Sequence, residues 1–226
     1  MNHLYQKTVQ NLVLLLQHHN VKVDFNENQT CCGLPFLNKG DQASAKAVAE
    51  KFLTDFQTGR HGHHTIIPST QCAVMVKDYY PKIFNNTVSH LLCNKVVEST
   101  RDLFSYLDEI TLKLDFSKVT GTYFMLSSCM CNKQNIEETV SKFTNINWIR
   151  PEFSDACCGA GNALPVNAPD ISENLTQSII DEALSTGASV IVVTDDICRA
   201  RIDDFVKRKN ISISTLHLID ILAEAI

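Results

Sequence analysis

The sequence predicts an α/β protein built from two pseudo-repeated modules with mostly parallel sheets, the first module lacking its opening strand. Three observations carry this. Two vicinal cysteine pairs, each followed by glycine, stand at Cys31-Cys32-Gly33 and Cys157-Cys158-Gly159, and a lone cysteine, Cys72 or Cys198, follows each pair at a distance of 40 positions. One shift of 126 therefore superimposes three cysteines and a glycine, the mark of an internal repeat. Finally, short apolar runs alternate with segments of helical period, the pattern of parallel units with right-handed crossovers.

Taken in order, Tyr5, Val9, Leu12, Val13 and Leu16 lie at helical spacing and predict the first helix, and residues 21–25 read as a strand. After the first pair, Asp41 can cap a helix with Ala45, Val48, Phe52 and Phe56 inward and Gly59 at its end. The strand Thr65-Ile66-Ile67-Pro68 then delivers Cys72, and another helix leads to the tail Ser99-Thr100-Arg101-Asp102-Leu103. The second module opens with a strand at 122–126 leading to Cys129. A helix with Ile136, Val140 and Phe143 on one face and a strand at 145–149 precede Cys157. Pro169-Asp170 opens a helix with Ile171, Leu175, Ile179 and Ala183 inward, Gly187 ends it, and Val190-Ile191-Val192-Val193 delivers Cys198. The closing Ser214-Thr215-Leu216-His217-Leu218 matches the first tail at a shift of 115, so the first module holds 11 extra residues around 81–93. Subtracting 126 from Cys129 gives His3, so the matching strand would need residues ahead of Met1. The chain is expected to begin after the first strand of a complete repeat, with modules at 1–115 and 116–226.

Composition narrows the function. With 44% hydrophobic and 20% charged residues and near-zero mean hydropathy, a disordered, collagenous or membrane-embedded chain is excluded. A net charge of −5 with scattered Lys and Arg argues against nucleic acid as a partner. The longest apolar run, residues 12–16, is too short to span a bilayer, and the start is too polar for a signal peptide, so a cytoplasmic chain is expected. No Gly-x-Gly-x-x-Gly, phosphate-binding loop, Gly-x-Ser-x-Gly or His-Glu-x-x-His pattern occurs, so no catalytic side chain is assigned.

Nine cysteines in a reducing compartment point to metal binding or redox chemistry rather than disulfides. Cys129, Cys157, Cys158 and Cys198 form the ligand set of a [4Fe-4S] cluster or of a tetrahedral zinc site, whereas Cys31, Cys32 and Cys72 supply three thiolates. Cys72, Cys129 and Cys198 follow strands, where open α/β sheets bind ligands. Cys72 and Cys198 also begin helices, whose free N–H groups favour a thiolate. Gly33 and Gly159 suit a backbone that turns sharply beside the site. Cys93, in the unmatched insertion, reads as a packed apolar residue, and Cys131 stays open between bystander and alternate ligand. Arg60-His61-Gly62-His63-His64 reads as a solvated loop, and His18-His19 as a helix-end contact.

The segments QTCCGLPFLNKG, PSTQCAVM, SSCMC, DACCGAGN and DDICRARI together resemble the duplicated cysteine-rich CCG domains of the lactate utilization protein A family. Relatives of that family include the iron-sulfur subunit of glycolate oxidase and the heterodisulfide reductase B subunit. The resemblance spans nearly the whole chain. It implies a cytoplasmic bacterial iron-sulfur protein that works with two partner proteins in oxidising L-lactate to pyruvate, an electron-transfer subunit of an oxidoreductase complex. By position it assigns Cys31, Cys32 and Cys72 to the first motif, and Cys129, Cys157, Cys158 and Cys198 to the second. An oxygen-sensitive cluster can be lost in aerobic handling. Two other classes remain open, a cluster-dependent thiol or heterodisulfide reductase subunit and a zinc-stabilised interaction module, as does a homo-oligomer. Three departures qualify the match. The first-motif cysteine of the opening strand would fall upstream of Met1. Met130 and Cys131 stand where the family has His after the cysteine matching Cys129. Met75 and Arg201 occupy the positions at which the heterodisulfide reductase relatives place a further cysteine.

Overall fold

The computed structural model describes residues 5–57, 63–130, 133–153, 156–161 and 163–226. Packing divides the chain into two compact units, residues 24–106 and residues 1–23 together with 107–226. Both are α/β, and every strand pair is parallel.

The first helix, α1 (Gln6–His18), belongs to the second of these units. In residues 24–106, Gly33 turns the chain into α2 (Leu34–Asn38), and Asp41 accepts a hydrogen bond from the Ser44 N–H at 3.0 Å to start α3 (Gln42–Asp55). β1 (Thr65–Ile67) leads to α4 (Thr70–Val74), and a π-helical turn, Met75–Tyr79, continues into α5 (Tyr80–Ile83). α6 (His90–Ser99) then precedes β2 (Thr100–Asp102), and α7 (Leu103–Glu109) carries the chain out of the unit. β1 and β2 pair with Thr65 opposite Thr100. Ala49, Phe52, Leu53, Met75, Tyr80 and Phe84 fill the core, with Cys93 fully buried among them, as its reading as a packed apolar residue requires.

The second unit holds β3 (Gly121–Leu126), α8 (Lys133–Val140), β4 (Ile146–Ile149), α9 (Leu164–Asn167), α10 (Pro169–Ser185), β5 (Val190–Val193), α11 (Asp196–Lys209), β6 (Ser214–His217) and α12 (Leu218–Glu224). Its sheet runs β4-β3-β5-β6. The chain leaves β3 to one side for β4 and returns on the other side for β5. That reversal makes the carboxyl ends of β3 and β5 a topological switch point, the place where such sheets bind ligands. Cys129 and Cys198 emerge there. α1 is latched to this unit by polar contacts: Thr8 Oγ1 and Asn11 Nδ2 donate to the Asp220 carboxylate at 3.1 and 2.9 Å, and Tyr5 donates to Asp203 at 2.8 Å. At its end, Lys113 N–H donates to His19 Nε2 at 2.8 Å, so His19 Nδ1 carries the proton that bonds the Leu15 carbonyl.

Four expectations are corrected. Residues 21–25 form no strand, because the described residues contain no counterpart of β3 for them to pair with. On α3 the inward face is Ala45, Ala49, Phe52 and Leu53, with Ala49 in place of the expected Val48, while Phe56 packs against the same core from the helix's C-cap as expected. α8 ends at Val140, and Phe143 is buried from the turn beyond it. On α10, Ile171 is exposed, and Ser172 and Thr176 point inward with Ile179, Ile180 and Ala183. Two polar residues displaced the apolar stripe because they have carbonyls to satisfy. The expected end of α3 at Gly59, the Arg60-His61-Gly62 part of the histidine tract, His3 and Cys131 lie outside the described residues.

Candidate functional site

Both vicinal pairs sit in the same local frame. Gly33 and Gly159 adopt left-handed φ values of +90° and +79°, and the N–H of each donates to the sulfur two residues earlier, Cys31 or Cys157, at 3.4 Å. Each glycine also presses on the helix that follows. A Cβ on Gly33 would stand 3.0 Å from the Ala45 carbonyl oxygen, and one on Gly159 would stand 2.5 Å from that of Ser172. No side chain other than hydrogen fits such a turn without displacing the helix.

The carbonyl of the second cysteine is satisfied differently in the two units. Cys32 O accepts from the buried Tyr80 hydroxyl at 2.8 Å, whereas Cys158 O accepts from Thr176 Oγ1 at 2.9 Å. Ser172 Oγ donates to Gly159 O at 2.8 Å. These three side chains fix the cysteine backbones, and sequence reasoning missed them. Ser172 and Thr176 are spaced four apart, one turn, and a polar pair at that spacing in an otherwise amphipathic helix was the available signal.

The thiols converge within each unit. Cys32 and Cys72 sulfurs lie 3.2 Å apart, and those of Cys158 and Cys198 lie 2.6 Å apart. Cys31 contacts Cys32 through its sulfur, while Cys157 bridges Cys129 and Cys158. The second site is thus an unbroken chain, Cys129 to Cys157 to Cys158 to Cys198, and the first a chain of three. Cys129 is placed by the Ser128 N–H, which donates to Thr194 Oγ1 at the end of β5 at 2.8 Å. Cys198 is placed by Asp195, whose carboxylate accepts from the Ile197 N–H at 3.0 Å and caps α11.

This sharing of protons sets the charges. Hydrogen bonding from Cys32 pulls the Cys31 thiol down to about 6, with help from the Gly33 N–H. Hydrogen bonds from Cys129 and Cys158 hold Cys157 far below the usual thiol range. Their donors move the other way: Cys32, Cys129 and Cys158 are pushed up because each gives its proton to a neighbour, and burial adds to this. Beside Cys198, burial raises the Asp196 carboxyl to about 6, and no described residue donates to either of its oxygens.

The donor set suits a sulfur-ligated metal centre, but the sulfurs are not spread around an ion. Two thiolates on one zinc stay about 3.8 Å apart, given Zn–S bonds of about 2.3 Å. The closest pair here is nearer than that, and among the described residues no group of three or more His, Cys, Asp or Glu side chains is arranged to hold a metal ion. The thiols have to part to admit iron or zinc. A cleft of about 300 Å³ lies elsewhere in the second unit, lined by Tyr5, Thr8, Asn11, Arg199 and Asp220 among others, none of them a cysteine.

The family profile described as a cysteine-rich domain, CCG, matches residues 1–77 and 123–203, taking in all seven cysteines of the two sites. Lactate utilization protein A 2 of Bacillus cereus is 28% identical over 222 residues, 95% of this chain and 90% of that protein. Lactate utilization protein A 1 of Bacillus anthracis shows the same identity and coverage. Lactate utilization protein A of Halalkalibacterium halodurans is 25% identical over 224 residues, 96% of this chain and 91% of that protein.

Proposed function

Because the chain belongs to the cysteine-rich CCG domain family, we propose that it is an iron-sulfur electron-transfer subunit of a system that oxidises L-lactate to pyruvate. The observation that carries this reading is the unbroken chain of four thiols at the switch point of a parallel sheet. The names of its relatives support lactate as the substrate of the system. Cys129, Cys157, Cys158 and Cys198 are the proposed ligands of a [4Fe-4S] cluster. Cys31, Cys32 and Cys72 are the proposed protein ligands of a second, three-thiolate site. When bound, such a cluster supplies one-electron transfer.

The chain's own part is to supply and orient sulfur. The left-handed glycines and the capped carbonyls of Cys32 and Cys158 hold each vicinal pair against its helix. Cys157 and Cys31, already biased toward thiolate, are the natural first ligands. Oxidising a 2-hydroxy acid to a 2-oxo acid removes two electrons and two protons. A hydride or carbanion acceptor such as a flavin takes the electron pair while the remaining proton goes to a base, so the substrate chemistry belongs to a partner. Two partner proteins are proposed, in the cytoplasm; among the described residues no helix is long and apolar enough to cross a membrane.

The test is to mix the anaerobically prepared chain with its partners and add L-lactate. Bleaching of the visible iron-sulfur absorption, dependent on both lactate and partners, is expected. Absorption that ignores lactate but responds to a heterodisulfide would favour the reductase reading instead.

A further inference from the structure

We propose that Arg201 is a positioning residue of the second cysteine site, its guanidinium supplying the hydrogen-bond donor and positive charge that hold an anionic, thiolate-bound iron-sulfur group there. This rests on the reading above and extends it to a residue outside the thiol set.

Arg201 follows Cys198 by three positions on α11, so the two side chains share a face. Its Nε donates to Thr176 Oγ1 at 3.0 Å, and Thr176 in turn donates to the Cys158 carbonyl at 2.9 Å. The guanidinium is thereby tied to the backbone of the vicinal pair. Its Nη2 is buried, yet no described residue accepts a hydrogen bond from it. Other arginines of this unit are neutralised: Arg150 pairs with Glu137, Arg199 with Asp220, and Arg208 with Asp204 and Glu173. A buried N–H of a half-buried guanidinium left without an acceptor is costly, and an anion at that spot would satisfy it. Thiolates and inorganic sulfide are such acceptors, and a centre bound by four thiolates carries net negative charge that grows on reduction. Potentials of such centres are set by net charge and by hydrogen bonds to sulfur, so a fixed arginine favours the reduced state. The first unit has Met75 at the matching place, fully buried and without a donor, so the two sites are tuned differently.

The experiment uses the full chain, prepared anaerobically in a Cys32→Ser background so that the second site is the one loaded. Wild-type Arg201, Arg201→Lys and Arg201→Met are compared for iron and sulfide per chain and for reduction potential by dithionite titration followed by electron paramagnetic resonance. Arg201→Met is expected to move the potential to more negative values and to alter the spectrum, with Arg201→Lys recovering part of the shift because it keeps the charge. Should Arg201→Met bind no iron while its metal-free form melts and gives circular dichroism like the parent, the holding role is supported as well. Thr176→Val removes both the guanidinium's anchor and the donor to the Cys158 carbonyl while keeping the charge of Arg201, and its potential is expected to lie between parent and Arg201→Met. Iron bound at the parental level with an unchanged potential and spectrum in Arg201→Met would overturn the inference. Absence of iron and sulfide from the parent itself would instead overturn the iron-sulfur reading on which it rests.

Discussion

Gly159 and Gly33 occupy equivalent turns, yet they differ in how much room a methyl group would find. A left-handed φ alone costs a non-glycine residue about 1–2 kcal/mol. At Gly159 the added Cβ would also meet backbone oxygen at 2.5 Å, against 3.0 Å at Gly33. Gly159→Ala is therefore expected to lose roughly 2–4 kcal/mol and Gly33→Ala roughly 1–3 kcal/mol in urea unfolding; equal losses would show that the close approach to Ser172 is not rigid. Among the cysteines, Cys158→Ser is expected to empty the second site of iron. Cys93→Ala is expected to cost about 1–2 kcal/mol of stability through a small cavity while leaving the metal content unchanged. The cysteines were legible in the sequence because their spacing repeats. Tyr80, Ser172 and Thr176 were not, because they answer to individual carbonyls rather than to a period.

At the scale of elements, the junction of β6 and α12 carries a pH dependence. His217 is fully buried, and burial pushes its imidazole down to about 4. Its Nδ1 accepts from the Ile219 N–H at 3.1 Å, which requires the neutral ring, while the His217 backbone N–H donates to the Asp220 carboxylate at 3.1 Å. The folded-state value lies below the unfolded value of about 6.5, so the unfolded chain binds the extra proton first. The stability is fully present above about pH 6.5 and is lost as pH falls toward 4, up to about 3 kcal/mol in all. Melting temperatures measured from pH 7.5 to 4.5 are expected to fall through that window and to flatten in His217→Asn, which keeps an acceptor for the cap. A parallel decline in the variant would assign the effect to other groups. The strands β1, β3, β4 and β5 were readable from their short apolar runs, whereas β6 was read only as a repeated tail. Residues 21–25 alternate Val, Lys, Val, Asp and Phe in a strand-like pattern and form no strand, since a strand exists only where a neighbour supplies its hydrogen bonds.

At the scale of the whole molecule, the repeat by 126 positions foretold an α/β fold and the two matches to the CCG domain. It did not foretell that α1 packs with residues 107–226. The contacts responsible, Thr8 and Asn11 with Asp220 and Tyr5 with Asp203, join polar side chains about 200 positions apart and leave no periodic trace. The two sites are also unequal: four thiols against three, Thr176 against Tyr80 on the carbonyl, and Arg201 against Met75 beyond the last cysteine. The second site is expected to hold its metal more firmly, so graded treatment with an iron chelator should strip the centre that Cys32→Ser removes before the one that Cys158→Ser removes.

The thiol chain of the second unit is the proposed seat of the iron-sulfur cluster. Quantifying iron, acid-labile sulfide and zinc per chain after strictly anaerobic purification tests it most directly. Iron and sulfide are expected in equal amounts, about four of each for every loaded [4Fe-4S] site, falling in Cys158→Ser by the share of the second site. Stoichiometric zinc without sulfide, or a chain that takes up neither metal, would contradict that assignment.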